Sequence, residues 1–198
     1  MILCAATRSI EFSIIPLVFI YRNIERIFSK KNNRTLRYTL DHKRYAKVSN
    51  CLGEKYQHKT HMPLGEFMDG LISLENDDYK LFLNKYGHHK FCEFEINQYL
   101  DRKGLYCFIV DSEIKYVGRC TDNFKRRINH GYGKIYPKNC YIDGQATNCH
   151  INHLINLSTG EIRMGIYDMS SESNLSIKNL EEEIIRNNRL NWNIQLQK

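Results

Sequence analysis

Gly104-Leu105-Tyr106-Cys107-Phe108-Ile109-Val110, Asp111-Ser112-Glu113 and Ile114-Lys115-Tyr116-Val117-Gly118 form the stretch on which the fold turns. Two runs rich in β-branched and aromatic residues flank three polar residues of turn type, which predicts a β-hairpin. Downstream, Thr121 or Asp122 can cap a helix running through Phe124 to His130, with Gly131 as its stop. A long loop with Pro137 and Gly144 leads to a helical stretch from about 148 to 157. Glu161 to Tyr167 reads as a third strand, and Ser173 or Ser176 starts a last helix through Arg186. Upstream, Leu64, Phe67, Met68, Leu71 and Ile72 recur at helical spacing, and two further apolar groups follow at 79–83 and 94–100, so two or three short helices are expected there. The expected fold class is α+β. A small, three-stranded, mainly antiparallel sheet flanked by helices occupies residues 102–198, a helical subdomain 61–101, and a basic extension 1–60.

The chain has 198 residues, 42% hydrophobic and 26% charged. That composition fits a globular domain with an extension and excludes a fibrous or wholly disordered chain. Lys and Arg outnumber Asp and Glu by 29 to 22, a net +7. Residues 30–60 alone hold nine basic side chains against Asp41 and Glu54, so the remainder sums to zero. With few large apolar residues at any regular period, 30–60 reads as a poorly ordered tail, and 1–28 as an amphipathic or partly buried helix. Met62 is a second candidate start, which would make the first 61 residues dispensable. Seven cysteines without a C-x-x-C pair suggest a reducing, cytoplasmic location. The apolar run Ile10 to Tyr21 contains Glu11 and Pro16 and falls short of the roughly 18 to 20 residues that span a bilayer, so no membrane partner is expected. The charged Arg22-Asn23-Ile24-Glu25-Arg26 after it argues against a signal peptide.

Gly104-Leu105-Tyr106 and Tyr116-Val117-Gly118 resemble the paired motifs of the GIY-YIG endonucleases. The continuation Gly118-Arg119-Cys120-Thr121-Asp122-Asn123-Phe124-Lys125-Arg126-Arg127-Ile128-Asn129-His130 resembles the family helix, whose Arg lies eight residues after the last motif glycine and whose His lies four further on. In Leu180-Glu181-Glu182-Glu183-Ile184-Ile185-Arg186 the family spacing selects Glu181 and lands on Trp192-Asn193. The residues support that choice independently. At roughly 100° per helical residue, Glu181 alone of the three carboxylates falls inside the apolar arc of Ile177, Leu180, Ile184 and Ile185. A carboxylate on a core-facing stripe is costly unless paired or bound to a cation. The resemblance covers about residues 102–195.

Phosphodiester hydrolysis needs a group to deprotonate water, a cation to balance the phosphate, and commonly a hard metal ion at the leaving oxygen. The resemblance implies a metal-dependent DNA endonuclease with Tyr106 as general base, Tyr116 holding water or phosphate, Arg126 as phosphate clamp, His130 assisting, and Glu181 binding Mg²⁺, with Mn²⁺ as a substitute. A Tyr base must overcome an ordinary pKa of ~10. The partner implied is double-stranded DNA. Its expected footprint is Lys115, Arg119, Lys125, Arg127 and Lys134, with Tyr136, Asn139 and Gln145 as base-reading candidates and His150 beside the site. The N-terminal helices and the lack of an appended tail after Lys198 point to a sequence-specific restriction-type enzyme rather than a homing or repair nuclease. The oligomeric state stays open, a homodimer included. Three plainer alternatives stand beside these: the tyrosines as ordinary strand aromatics, the whole as a non-catalytic nucleic-acid-binding module, and Cys140, Cys149 and His153 as three of the ligands of a zinc site. Asn193 is expected to brace a turn.

Overall fold

The computed structural model describes residues 2–4, 9–29 and 34–194. In chain order the elements are β1 (Ile2–Cys4), β2 (Ser9–Glu11), β3 (Ser13–Pro16), β4 (Val18–Ile24), α1 (Leu36–Leu40), α2 (Ala46–Leu52), α3 (Leu64–Ser73), β5 (Phe91–Glu95), β6 (Gly104–Val110), β7 (Glu113–Cys120), a π-helix (Lys125–Tyr132), α4 (Pro137–Cys140), α5 (Ala146–Leu157), β8 (Ile162–Asp168) and α6 (Asn174–Asn187), with 3₁₀ turns between several of them. The class is α+β with antiparallel sheets flanked by helices. Among the described residues no helix is long and apolar enough to cross a membrane.

The chain divides into two compact units: residues 1–21, 93–134 and 154–198 in the first, 22–92 and 135–153 in the second. In the first, a four-stranded sheet runs in the order β3-β8-β6-β7. The β6–β7 hairpin is as the sequence predicts, with Tyr106 opposite Gly118 and Phe108 opposite Tyr116. Asp111 and Ser112 both take positive φ at its turn. As β6 is central, six consecutive residues from Gly104 to Ile109 are buried. Strand alternation sends Leu105, Cys107 and Ile109 into a core with Ile177, Leu180, Ile184 and Ile185 of α6, and turns Tyr106 and Phe108 to the opposite face, where their rings meet Tyr132 and, for Tyr106, Phe124.

Three expectations are corrected. The sheet has four strands rather than three, because Ser13–Pro16 pairs along β8 with Ile15 opposite Met164. The same segment overturns the helical reading of 1–28. Buried Ile10 and Phe12 alternate with exposed Glu11 and Ser13 at the two-residue period of a strand, and Pro16 ends β3 at the sheet edge. Nor is 30–60 a loose tail over the part that is described. Leu36, Leu40, Tyr45, Val48, Leu52 and Tyr56 are buried in the core of the second unit with Leu64, Phe67, Met68 and Leu71 of α3. The sparse apolar residues escaped notice because they are spread over short helices and 3₁₀ turns, none long enough to show a period. The expected boundary at 61 is therefore not a boundary of the fold: Arg34 Nη1 and Nη2 donate to both carboxylate oxygens of Asp143 at 2.9 and 2.5 Å, and Tyr45 Oη donates to Asp143 at 2.6 Å.

Candidate active site

Two tyrosines of the hairpin and one from the π-helix meet on one face of the first unit. Tyr106 Oη donates to Tyr132 Oη at 3.0 Å, and Tyr116 Oη lies 3.1 Å from Tyr132 Oη. Arg127 donates through Nε to Tyr106 Oη at 3.1 Å and through Nη2 to Tyr132 Oη at 2.7 Å, with its guanidinium 4.7 Å from the Tyr132 ring centroid. Arg127 thus donates to two of the three hydroxyls, and Tyr132 Oη links the other two tyrosines. Tyr106 and Tyr132 are fully buried, and Tyr116 keeps only 8% of its surface exposed.

The π-helix makes this geometry. Its Gly133 N–H bonds to Ile128 C=O, five residues back, at 2.7 Å. That wider turn stacks residues five apart and so sets Arg127 and Tyr132 on one side. Gly118 is required as well: a Cβ there would lie 2.5 Å from Tyr106 Oη and 2.8 Å from the Tyr116 ring, so any side chain would displace the cluster.

Burial, more than any neighbour, raises the pKa of all three phenols above the usual tyrosine value. Arg127 pulls each of them down without reversing that, and all three stay protonated at neutral pH. Arg127 in turn holds its own proton more firmly than usual, Tyr106 contributing most.

Glu181, on the buried face of α6, forms an ion pair with Arg119 of β7. Burial raises its pKa and the Arg119 guanidinium opposes that rise. β7 is the edge strand of the sheet, and its alternation puts Tyr116 and Arg119 on opposite faces of that edge. The two sides influence each other: Glu181 adds to the upward push on Tyr116, and Arg127 lowers Glu181. Asn193 grips the same strand, accepting from Val117 N–H at 2.9 Å and donating to Val117 C=O at 2.8 Å. It braces a strand rather than a turn.

The structure brings together Tyr106, Tyr116 and Arg127, and adds Tyr132, which sequence reasoning missed. It does not bring in Arg126, which is exposed and paired with Asp122 at 2.9 Å, nor His130, which is exposed. Counting eight residues from Gly118 selects Arg126, but the π-helix turns Arg127 inward instead. The signal that could have found Tyr132 is its spacing of five from Arg127, which lines up only in a π-turn. Of the expected DNA-contacting residues in this unit, Lys125 is exposed, Lys115 pairs with Glu113 at 2.6 Å, Lys134 with Glu93 at 3.0 Å, and Arg119 with Glu181.

Tyr136, Asn139, Gln145 and His150 fall in the second unit. Asn139 is buried and serves its own loop, accepting from Tyr136 N–H at 2.8 Å and donating to Gln145 Oε1 at 3.2 Å. Asn139 and Gln145 line an open cleft of about 330 Å³ with Arg34, Lys138, Tyr141, Asp143 and Gly144. Cys140 and Cys149 are fully buried with their sulfurs 3.9 Å apart, while His153 stacks on His89 at 3.9 Å and its Nδ1 lies 3.0 Å from Lys90 C=O. Among the described residues no group of three or more His, Cys, Asp or Glu is arranged to hold a metal ion.

His89 gives this unit a pH dependence. Burial first, then the neighbouring His153, His88 and His150, push its pKa down from 6.5 to about 4. His150, its ring tilted against that of Tyr86 with centroids 4.4 Å apart, is also lowered, by burial and by His153 and Lys85. Between pH 6.5 and 4 the unfolded chain therefore binds protons that the folded chain refuses, so stability is complete above pH 6.5 and falls as pH drops toward 4. Urea midpoints at pH 7.5 and 5 are expected to show this loss, and His89→Gln is expected to reduce it. An equal loss in His89→Gln would show that His89 is not its source.

No family model, no curated protein and no solved structure matches this chain.

Proposed function

We propose that the chain is a metal-dependent DNA endonuclease of the GIY-YIG type, hydrolysing phosphodiester bonds at the edge of β7. One observation carries the proposal: a buried, hydrogen-bonded array of Arg127 and three tyrosine hydroxyls includes Tyr116, on the strand that also holds the Arg119–Glu181 pair. Oriented donors in a low-dielectric setting stabilise developing charge on a phosphoryl group without reorganising. The roles differ from those that the resemblance implies. Tyr106 is sealed and protonated, so it transmits the field of Arg127 instead of acting as the base, and Tyr116 presents its O–H to a phosphate oxygen or to the attacking water. Arg127 takes the clamp role expected of Arg126.

For a cation such as Mg²⁺, Glu181 is the carboxylate available at this edge, and a hard ion that keeps several waters needs few protein ligands. When bound, it would supply charge neutralisation at the leaving oxygen. Arg119 already occupies Glu181, so its guanidinium competes for that carboxylate. The same pairing, with the protonated phenols, is what favours the second reading, a nucleic-acid-binding module without hydrolysis.

The test is incubation of mixed-sequence plasmid and phage DNA with the intact chain, in Mg²⁺ or EDTA, beside Glu181→Ala. Discrete fragments lost in EDTA and in the variant are expected of a sequence-specific restriction-type enzyme. A Mg²⁺-dependent smear means a nuclease that reads structure. Binding without cleavage overturns the nuclease proposal in favour of the binding module.

A further inference from the structure

The charge is divided unevenly between the units. The first carries fourteen Lys and Arg against thirteen Asp and Glu; the second carries fifteen against nine, with seven of the eight histidines. The excess gathers along the chain around α1 and α2. These short helices turn Leu36, Thr39, Leu40, Val48 and Leu52 inward, which leaves Arg37, Tyr38 and Lys47 facing out, with Lys43 and Arg44 exposed and Lys59 half-buried beside them.

Some cations of the unit are paired, whereas these, among the described residues, are not. Arg34 is bound at both nitrogens by Asp143, Lys55 is paired with Asp78 at 2.6 Å and Lys80 with Asp77 at 2.8 Å. Arg37, Lys43, Arg44, Lys47 and Lys59 make no ion pair among the described residues. They do nothing for the fold that a neutral polar side chain would not, and crowding like charges costs stability. Tyr38 stands among them 61% exposed, with the Arg34 guanidinium 5.5 Å from its ring. A large ring left in water inside a cationic stretch suits sugar or base contact.

We infer that the outward face of α1 and α2 is a surface for the phosphate backbone of duplex nucleic acid, with Arg37, Arg44 and Lys47 on phosphates and Tyr38 against the sugar edge. This rests on the nuclease reading for the identity of the polyanion and adds where the chain grips it. An anionic lipid surface is less suited, because an interfacial helix needs a broad apolar face, and the apolar residues here point into the core.

The test is fluorescence anisotropy of a labelled mixed-sequence duplex with the full chain in EDTA, over a series of KCl concentrations, for wild type and for Arg37→Gln/Arg44→Gln/Lys47→Gln. Each phosphate contact contributes about 0.9 to the slope of log K against log[salt], so the variant is expected to lose about 2.7 from it. It should also bind at least about tenfold more weakly at physiological salt. Circular dichroism should match wild type, since none of the three side chains is buried. An unchanged slope overturns the inference. So does an equal loss in Lys80→Gln/Lys178→Gln, which would reduce the effect to net charge, or tighter binding to poly-glutamate or to phosphatidylserine vesicles than to the duplex. The outcomes separate from those of the nuclease proposal. Duplex binding through this face with no Mg²⁺-dependent cleavage defeats the nuclease reading and leaves the surface; unaltered binding and cleavage by the triple variant defeats the surface and leaves the nuclease.

Discussion

Translation from Met62 is expected to yield a chain that does not fold. The deleted segment supplies β3, an edge strand of the four-stranded sheet, and buries Ile10, Phe12, Ile15 and Leu17 in the first unit. In the second it supplies Leu36, Leu40, Tyr45, Val48, Leu52 and Tyr56, a large part of the core around α3. Removing even one such side chain from a packed core costs about 2–5 kcal/mol, against a total stability of about 5–15 kcal/mol for an ordinary domain. The deletion also strips the Asp143 carboxylate of Arg34 and Tyr45, the groups that hold its pKa well below the usual carboxylate range. Circular dichroism and size-exclusion chromatography of the 62–198 chain against the full chain are the check. A soluble, cooperatively melting 62–198 chain would mean that the core described here is dispensable.

On the proposed nuclease function, Arg127→Ala is expected to reduce DNA cleavage by about 10²–10³-fold, the order of loss when a preorganised donor array is broken, while Arg126→Ala changes it by less than about twofold. The contrast between adjacent residues is decisive because their environments are opposite. Arg126 lies on the surface against Asp122, whereas Arg127 holds two buried phenol oxygens. Losing Arg127 leaves those oxygens short of a donor, at about 1–3 kcal/mol for a buried polar group. Arg127→Lys therefore belongs in the experiment: it restores charge and some bonding, so a variant that folds yet stays impaired separates positioning from stability. Single-turnover rates with Mg²⁺ are the readout. A larger loss in Arg126→Ala than in Arg127→Ala would return the clamp to the position that motif spacing selects.

The hairpin, β8 and α6 were legible because each announces itself locally, through alternation, turn residues or a Ser cap; Ser173 does accept from Ser176 N–H at 3.0 Å. Glu181 was legible for a similar reason, its place on an apolar helical face. Two kinds of feature were not. β3 pairs with a strand more than a hundred residues away, Ser13 opposite Ile166, and the short helices of 34–60 form by packing on α3 and by the bond of Arg34 to the distant Asp143, none of which shows as a period within them. Tyr132, and the place of Arg127 among the tyrosines rather than on the DNA-facing surface, were not legible because a π-turn changes the rule by which neighbours are counted, and nothing in Lys125-Arg126-Arg127-Ile128-Asn129-His130 marks that change.

The grip of Asn193 on Val117 has a consequence for synthesis. Val117 sits between Tyr116 and Gly118, so the strand that carries Tyr116 is held in place by a residue 76 positions later in the chain, and Glu181 follows Arg119 by 62. Hairpins close within about 1–10 microseconds and so form as soon as they leave the ribosome. The β6–β7 hairpin can therefore form early, while the carboxylate and the brace are still untranslated. A nascent chain that stops short of Glu181 therefore lacks both the carboxylate that pairs with Arg119 and the amide that pins Val117.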